Sequence, residues 1–148
     1  MIETLVLPGG FRAEIEDAAR RAFPRECCGL IEGIVEQHIA RVTAIHPARN
    51  LAAESDRFEI DPAQQIRLLR QLRGTGRDVI GCYHSHPNGR PEPSARDLAG
   101  AFGADFLWLI VALTPCTEGV SATLGAFEIE REAFRAVPLL DPSRCPPV

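Results

Sequence analysis

The amino-acid sequence predicts an α/β protein of the α+β type, in which one mixed β-sheet is flanked by helices. The chain has 148 residues, of which 45% are hydrophobic and 24% are charged, and this is the size and composition of one packed domain. Apolar runs of strand length recur along the chain and are separated by segments with helical spacing. Because strands and helices do not alternate strictly, the pattern favours a mixed sheet over a doubly wound parallel one.

The first half of the chain predicts one helix and several strands. Between Pro8 and Pro24, apolar residues recur every three or four positions, which is typical of a helix that buries one face against a sheet. The runs on either side have the length and apolar content of strands. The predicted elements are a strand at residues 2–7, a helix at 11–23, strands at 28–35 and 38–46 joined by a turn around Glu36 and Gln37, an irregular stretch at 47–55, and a short strand at 56–60.

The second half begins with a helix that carries its own boundary signals. Asp61 is suited to the N-cap, Pro62 to the first helical position, and Gly74 to the end of the helix. Residues 106–113 form a continuous apolar run, which is typical of a strand in the middle of a sheet. The other predicted elements are a strand at 79–84, a polar loop, a short helix from Ser94 to near Gly103, and a strand at 121–129.

Length and charge limit the organisation and the partners of the chain. Residues 1–137 are expected to form a single domain, and the proline-rich residues 138–148 a loose tail. The net charge is −4, and no segment concentrates arginine with interleaved aromatic residues, so we expect no nucleic-acid partner. The sequence shows neither a basic leader followed by an apolar run nor an apolar stretch of about 18 residues, so we expect no export and no membrane insertion.

The five cysteines argue against a disulfide framework and against a thiolate zinc site. Their number is odd and no C-x-x-C pair is present, which favours a reducing compartment, the cytoplasm. Cys27 and Cys28 are adjacent, and a redox role is the alternative to the favoured interpretation, which is burial in the core. His38 and His46 stand alone on predicted strands, where hydrogen-bonded or solvated histidines are favoured over metal ligands.

The residues best suited to metal binding and catalysis lie between positions 84 and 97. His84 and His86 are two residues apart at the end of a predicted strand, so their side chains project from the same face and can bind one ion. Asp97 lies across a loop that is long enough to bring its carboxylate back to the same place. Two imidazoles and one carboxylate are a ligand set of catalytic zinc sites, in which the fourth position stays open for water.

Each half of this pattern also has a purely structural interpretation. Two histidines in this spacing can be exposed side chains without a metal, and Ser94-x-x-Asp97 is the pattern of a helix capping box. The metal site is favoured because the histidine pair, a proline that bends the chain and a capped carboxylate occur together in one short window.

This window resembles the complete signature of the JAMM (MPN+, JAB) metallopeptidase family, which reads H-S-H-P, six residues, S, two residues, D. Residues 24–30, PRECCGL, are similar to the upstream segment of the family with its single glutamate. The resemblance covers about residues 10–130, and its other segments are Asn50, residues 57–62 and residues 80–87. It implies a curved mixed sheet between helices, the MPN/JAB (deaminase-like) architecture.

The same resemblance implies a role for each residue of the site. Zinc (Zn2+) would be held by His84, His86 and Asp97, Glu26 would be the general base and acid, and Ser94 would help to stabilise an oxyanion. Zinc lowers the pKa of a bound water to about 7, and a nearby carboxylate can take its proton and pass it to a leaving amine.

The resemblance also implies a substrate class. We expect a zinc-dependent peptidase or isopeptidase that acts after the C-terminal Gly-Gly of a ubiquitin-like or sulfur-carrier protein, with the peptide added as a strand at a sheet edge beside the metal. The alternative is a non-catalytic MPN-type interaction module, which the intact ligand residues argue against. A zinc deaminase is disfavoured because it needs a C-x-x-C pair that the chain lacks.

Overall fold

The computed structural model describes residues 1–95, 97 and 106–144 of the chain. Its strands are β1 (Thr4–Val6), β2 (Cys28–Glu36), β3 (Ile39–Ala48), β4 (Asp78–His86), β5 (Leu107–Cys116), β6 (Gly119–Glu130), β7 (Ala133–Val137) and β8 (Leu139–Leu140), and its helices are α1 (Gly9–Ala22) and α2 (Pro62–Leu72). Within the described residues, the strands form one mixed sheet in the order β7-β6-β5-β4-β2-β3-β1-β8. This architecture confirms the predicted mixed sheet with helices.

Strands β4 and β5 form the centre of the sheet. They run parallel, with Cys82 opposite Trp108, and β2 pairs antiparallel with the other side of β4. The residues of β5 from Leu107 to Leu113 are all buried, which confirms the central strand predicted from the apolar run. A Cβ at Gly81 would lie 2.4 Å from the carbonyl oxygen of Leu107, so the close approach of the two strands requires glycine there.

The two faces of the sheet carry separate apolar clusters because strand residues alternate in direction. Tyr83 packs in the cluster that includes α1, and its neighbour Cys82 packs in the cluster that includes α2. The buried helix residues are Ile15 and Ala19 in α1 and Leu68 and Leu72 in α2. The two helices therefore cover opposite faces, and the even-numbered residues at the end of β4 face the α2 side.

Helix α2 begins as the sequence predicts. The Asp61 carboxylate accepts a hydrogen bond from the Ala63 N–H at 2.9 Å, and Pro62 is the first helical residue. None of the described helices combines the length and the apolar character needed to cross a membrane.

The isolated histidines outside the window of residues 84–97 are hydrogen-bonded, as predicted. His46 Nε2 lies 2.8 Å from a carboxylate oxygen of the buried Glu32, which Arg77 also contacts at 2.7 Å. His38 Nδ1 lies 2.9 Å from the carbonyl oxygen of Met1. Both side chains are therefore explained without a metal.

The predicted strand at residues 56–60 is wrong. Residues 57–60 have no strand pairing, and the segment is instead held by hydrogen bonds to Asn50 and by the Leu51 N–H, which donates to the Glu59 carbonyl at 2.9 Å. Phe58 and Ile60 pack against the α2 cluster. Their alternation has the period of a strand because both face the core, although no neighbouring strand is paired with them.

Smaller differences concern one turn and the C-terminal segment. The turn between β2 and β3 lies at Gln37 and His38, whose φ angles of 47° and 68° match a type I′ hairpin without the usual glycine. Leu139 and Leu140, which the sequence assigned to a loose tail, form β8 and pair in parallel with β1. The helix predicted from Ser94 to near Gly103 lies largely outside the described residues.

Candidate active site

The carboxyl end of β4 brings two imidazoles together on the α2 side of the sheet. His84 is fully buried and His86 is 6% exposed, and their Nε2 atoms lie 3.0 Å apart. His86 Nδ1 lies 3.0 Å from the carbonyl oxygen of Arg90, which can only accept a hydrogen bond. The proton of neutral His86 is therefore held on Nδ1, and the lone pair of Nε2 is free to bind a metal.

Asp97 completes this arrangement from the other side of the loop. Its Oδ1 lies 3.1 Å from His84 Nε2 and its Oδ2 lies 3.2 Å from His86 Nε2. The Ser94 N–H donates to Oδ2 at 2.7 Å, and the Asp97 N–H donates to Ser94 Oγ at 3.1 Å. The predicted capping box is therefore present, and it fixes the carboxylate that faces the two histidines.

The three converging groups fit a tetrahedral zinc ion. Ligand atoms at the usual zinc distances of about 2.0–2.2 Å lie about 3.4 Å from one another in a tetrahedron, close to the observed 3.0–3.2 Å. Two imidazole nitrogens and a carboxylate that point at one another also favour a shared cation electrostatically. Among the described residues, three donor groups converge this closely, which is the number found in catalytic rather than structural zinc sites.

The charge states of His84 and Asp97 suit metal binding, whereas at His86 a proton competes more strongly with a metal. Burial lowers the pKa of His84 below its usual value, which keeps this imidazole neutral. Burial alone also lowers the pKa of His86, but hydrogen bonds to Asp97 and to the Arg90 carbonyl outweigh it and raise the pKa. Burial alone raises the pKa of Asp97, but hydrogen bonds from both histidines hold it well below its usual value, so this carboxylate is an anion.

Glu26 lies beside the two histidines but outside the closest set of three. It is 5% exposed, and its Oε1 is 3.8 Å from His86 Nε2, which is beyond hydrogen-bond distance. One carboxylate oxygen of Glu26 and one nitrogen of each histidine lie within 4.8 Å of one another. The carboxylate can therefore reach a small molecule that is held by the histidines.

The backbone around Glu26 is anchored to β4 between the two histidines. The Cys27 N–H donates to Ser85 Oγ at 2.7 Å, and the Ser85 N–H donates to the Cys27 carbonyl at 3.0 Å. The middle residue of the H-S-H sequence thus positions the residue next to Glu26. Sequence reasoning gave Ser85 no role, although alternation already placed it on the other face from the histidines.

An aromatic wall closes the site on the α2 side. The Phe58 ring stacks on the His84 ring with centroids 4.2 Å apart and an interplanar angle of 15°. Trp108 packs edge-on against both rings, at 5.9 Å from His84 and 6.0 Å from Phe58. The core position predicted for Trp108 is confirmed, whereas no signal in the sequence indicated that Phe58 would contact a histidine of the site.

Burial favours the protonated form of the cysteines near the site. Burial raises the pKa of Cys28 to about 12, and it also raises the pKa values of Cys27 and Cys82. Cys28 and Cys82 are buried, as predicted, and Cys27 is partly buried. High thiol pKa values argue against thiolate chemistry at these positions.

The expectation of a sheet edge beside the metal is wrong. The histidines lie on β4, which is paired with β2 on one side and with β5 on the other. The edge strands of the described sheet are β7 and β8. A peptide that approaches the histidines must therefore pass the end of β4 and contact the loops there, not pair with a free edge of β4.

Comparisons with known proteins agree with this geometry. The chain is 39% identical to a desampylase of Haloferax volcanii over 59% of this chain and 62% of that protein, and 34% identical to a desampylase of Pyrococcus furiosus over 59% of that protein. These matches span less than two thirds of either desampylase. The chain is also 30% identical to a probable TtuB-protein conjugate cleaving protease of Thermus thermophilus, over 81% of this chain and 75% of that protein.

The comparisons of fold and of family also agree with the geometry of the site. A solution structure of a Desulfitobacterium hafniense protein superimposes with a TM-score of 0.78 and 27% identity, over 92% of this chain and 91% of that one. The model of the family described as prokaryotic homologs of the JAB domain matches residues 10–125, which include Glu26, both histidines and Asp97. The chain therefore belongs to the prokaryotic JAB-domain family, and the JAMM resemblance of its sequence is confirmed.

Proposed function

We propose that this chain is a zinc-dependent isopeptidase or peptidase that hydrolyses the bond after the C-terminal Gly-Gly of a ubiquitin-like or sulfur-carrier protein. The observation that carries the proposal is the convergence of His84, His86 and Asp97 beside the buried Glu26. The names of the relatives, desampylase and TtuB-protein conjugate cleaving protease, support the substrate class. Free cysteines fit a location in the reducing cytoplasm.

His84, His86 and Asp97 would hold the zinc ion. When bound there, zinc would lower the pKa of a water molecule and polarise the scissile carbonyl. The Arg90 carbonyl fixes the tautomer of His86, and the capping box fixes Asp97, so two of the three ligands are oriented before a metal arrives.

Glu26 would transfer the proton. Its carboxylate is close enough to the histidines to accept a proton from a water molecule held between them, and it can then give this proton to the leaving amine. Its burial removes competing solvent, which strengthens the interaction with the reacting groups.

Ser94 would stabilise the negative oxygen that forms when the carbonyl is attacked. Its Oγ already accepts a hydrogen bond from the Asp97 N–H, which leaves the hydroxyl proton available for donation to an oxyanion. The residue would thus combine a capping role with a catalytic one.

Substitution of His86 by Ala is expected to reduce zinc binding steeply, because the remaining two ligands cannot complete a tetrahedral site. Metal analysis of the purified protein after dialysis should give about one zinc per wild-type chain and much less in the variant. His46→Ala is the matched control, since that histidine pairs with Glu32 outside the site. Equal zinc contents in wild type and His86→Ala would contradict the ligand assignment.

Substitution of Glu26 by Gln is expected to preserve zinc content and melting temperature and to slow hydrolysis by about 100-fold or more. The amide keeps the shape of the side chain but cannot take the proton. All three quantities should be measured on one preparation. Loss of zinc together with activity would mean that Glu26 is a metal ligand and not the base.

Variants of Ser94 separate its two roles. Ser94→Ala removes the cap and should cost about 1 kcal/mol of stability, whereas Ser94→Asn retains an N-cap residue. If the hydroxyl also donates to the oxyanion, both variants should lower kcat by about 100-fold with little change in KM. Full activity in Ser94→Asn would leave only the capping role.

The substrate class is tested with fusions of a ubiquitin-like protein that carry Gly-Gly or Ala-Ala before the junction. We expect cleavage of the Gly-Gly series, its loss on chelation and its return with added zinc. The Ala-Ala series should be cut at least about 10-fold more slowly, because a Cβ next to the scissile bond crowds the approach to the buried site. Equal cutting of both series would overturn the Gly-Gly specificity, and binding without cleavage would favour the non-catalytic module.

A further inference from the structure

The side chain of Asn50 uses all of its hydrogen-bonding capacity on backbone groups near the site. Its Nδ2 donates to the carbonyl oxygens of Glu26 at 3.0 Å and Arg57 at 2.9 Å. Its Oδ1 accepts from the N–H groups of Ala52 at 2.9 Å and Glu59 at 3.0 Å. A primary amide has two donor hydrogens and two acceptor positions, so this one side chain is fully satisfied by these four bonds.

These bonds join two segments that are distant in sequence. One segment is the peptide of Glu26, and the other is the loop of residues 51–59, which contains neither helix nor strand. Arg25 adds to the same junction, because its guanidinium donates to the Ala52 carbonyl at 2.7 Å. Arg25 and the proposed base, Glu26, are therefore both attached to this loop.

The loop in turn supports one of the metal-binding histidines. It carries Phe58, which stacks on the His84 ring, and the Arg57 carbonyl and the Glu59 N–H on either side of Phe58 are the groups that Asn50 holds. His84 Nδ1 is buried and has no hydrogen-bond partner among the described residues. On the Nδ1 side, ring stacking by Phe58 therefore supports His84, whereas a hydrogen bond to the Arg90 carbonyl supports His86.

We propose that Asn50 is a positioning residue that fixes the position of the Glu26 carboxylate relative to the His84 imidazole. It touches neither group with its side chain and acts on both through the backbone of Glu26 and through Phe58. The part of the proposal that concerns Glu26 rests on the proposed function. The part that concerns His84 is about metal affinity and holds for any metal-dependent activity.

The decisive variant is Asn50→Asp, which has nearly the same shape. A carboxylate retains the two acceptor bonds to Ala52 and Glu59 but places oxygen against the carbonyls of Glu26 and Arg57, where the amide donated. Because ligand-orienting contacts are worth about 10–100-fold in metal affinity, the affinity for zinc should fall by about 10-fold or more. At saturating zinc, kcat should fall by about 10–100-fold with a smaller change in KM, because the base is misplaced.

The matched control is Asp61→Ala. Asp61 lies just after the same loop and caps α2, and no contact of its side chain with the site is present among the described residues. Its loss should lower the melting temperature without changing zinc affinity or kcat. A general loosening of the fold would therefore affect both variants alike, whereas a positioning role affects Asn50→Asp alone.

Two combinations test the routes through which Asn50 acts. Phe58→Leu should lower zinc affinity by itself, and its combination with Asn50→Asp should lower zinc affinity no further than the stronger single variant. Likewise, Asn50→Asp should not slow Glu26→Gln further at saturating zinc. Additive losses in both combinations would overturn the proposed routes.

Zinc affinity is measured by competition with a chromophoric chelator, which requires no substrate. If Asn50→Asp does not fold, Asn50→Ser and Phe58→Leu are measured in the same way. Zinc affinity and kcat within about twofold of the Asp61→Ala values would overturn the proposal. If the wild-type protein cleaves no Gly-Gly fusion, the proposed function fails, and the chelator measurement still decides whether Asn50 positions His84.

Discussion

Strand β4 is paired on both sides, with β2 and with β5, and this pairing fixes where the groups of the site lie. Its register places His84 opposite Cys28 on β2 and opposite Ile110 on β5. The His84 side chain cannot turn away from the α2 face without breaking the pairing of β4 with both neighbours. The site is thus built on an interior strand of the sheet, and segments outside the sheet bring Glu26, Asp97 and Phe58 to it.

The site collects ionisable side chains in a place from which water is largely excluded. Glu26, His84, His86 and Asp97 are each buried, and removing charged groups from water costs free energy unless they are paired. Mutual hydrogen bonds offset part of this cost, as the lowered pKa of Asp97 shows. A divalent cation would offset more of it, so metal binding and folding stability are expected to be linked in this protein.

Local patterns in the sequence were sufficient for the parts of the fold that depend on neighbouring residues. The alternation of His84 and His86, the cap at Asp61 and the Ser94–Asp97 box are short-range features, and the structure contains each of them. The contacts that complete the site are long-range. Asn50 reaches the Glu26 carbonyl across 24 positions, and nothing near residue 58 indicates that its ring will lie on His84.

The strand wrongly predicted at residues 56–60 has the same cause. Phe58 and Ile60 face the core with a period of two, and sequence periodicity reports burial on alternate residues, not the presence of a paired neighbour. A polar side chain, Asn50, supplies the hydrogen bonds that a neighbouring strand would otherwise provide. When one side chain supplies the hydrogen bonds of a neighbouring strand, no periodic pattern in the sequence reveals it.

The kinds of donor atom that converge in the site bear on which metal it can hold. Cys28 lies opposite His84 in the sheet, and the negative charge of Asp97 adds to burial in raising the pKa of Cys82. Deprotonated thiols beside two imidazoles would form a soft ligand set that attracts monovalent copper. The cluster of described residues that could hold a metal consists of Glu26, His84 and His86 and includes no cysteine, so its donors are nitrogen and oxygen, which suit zinc better than they suit the softer metals.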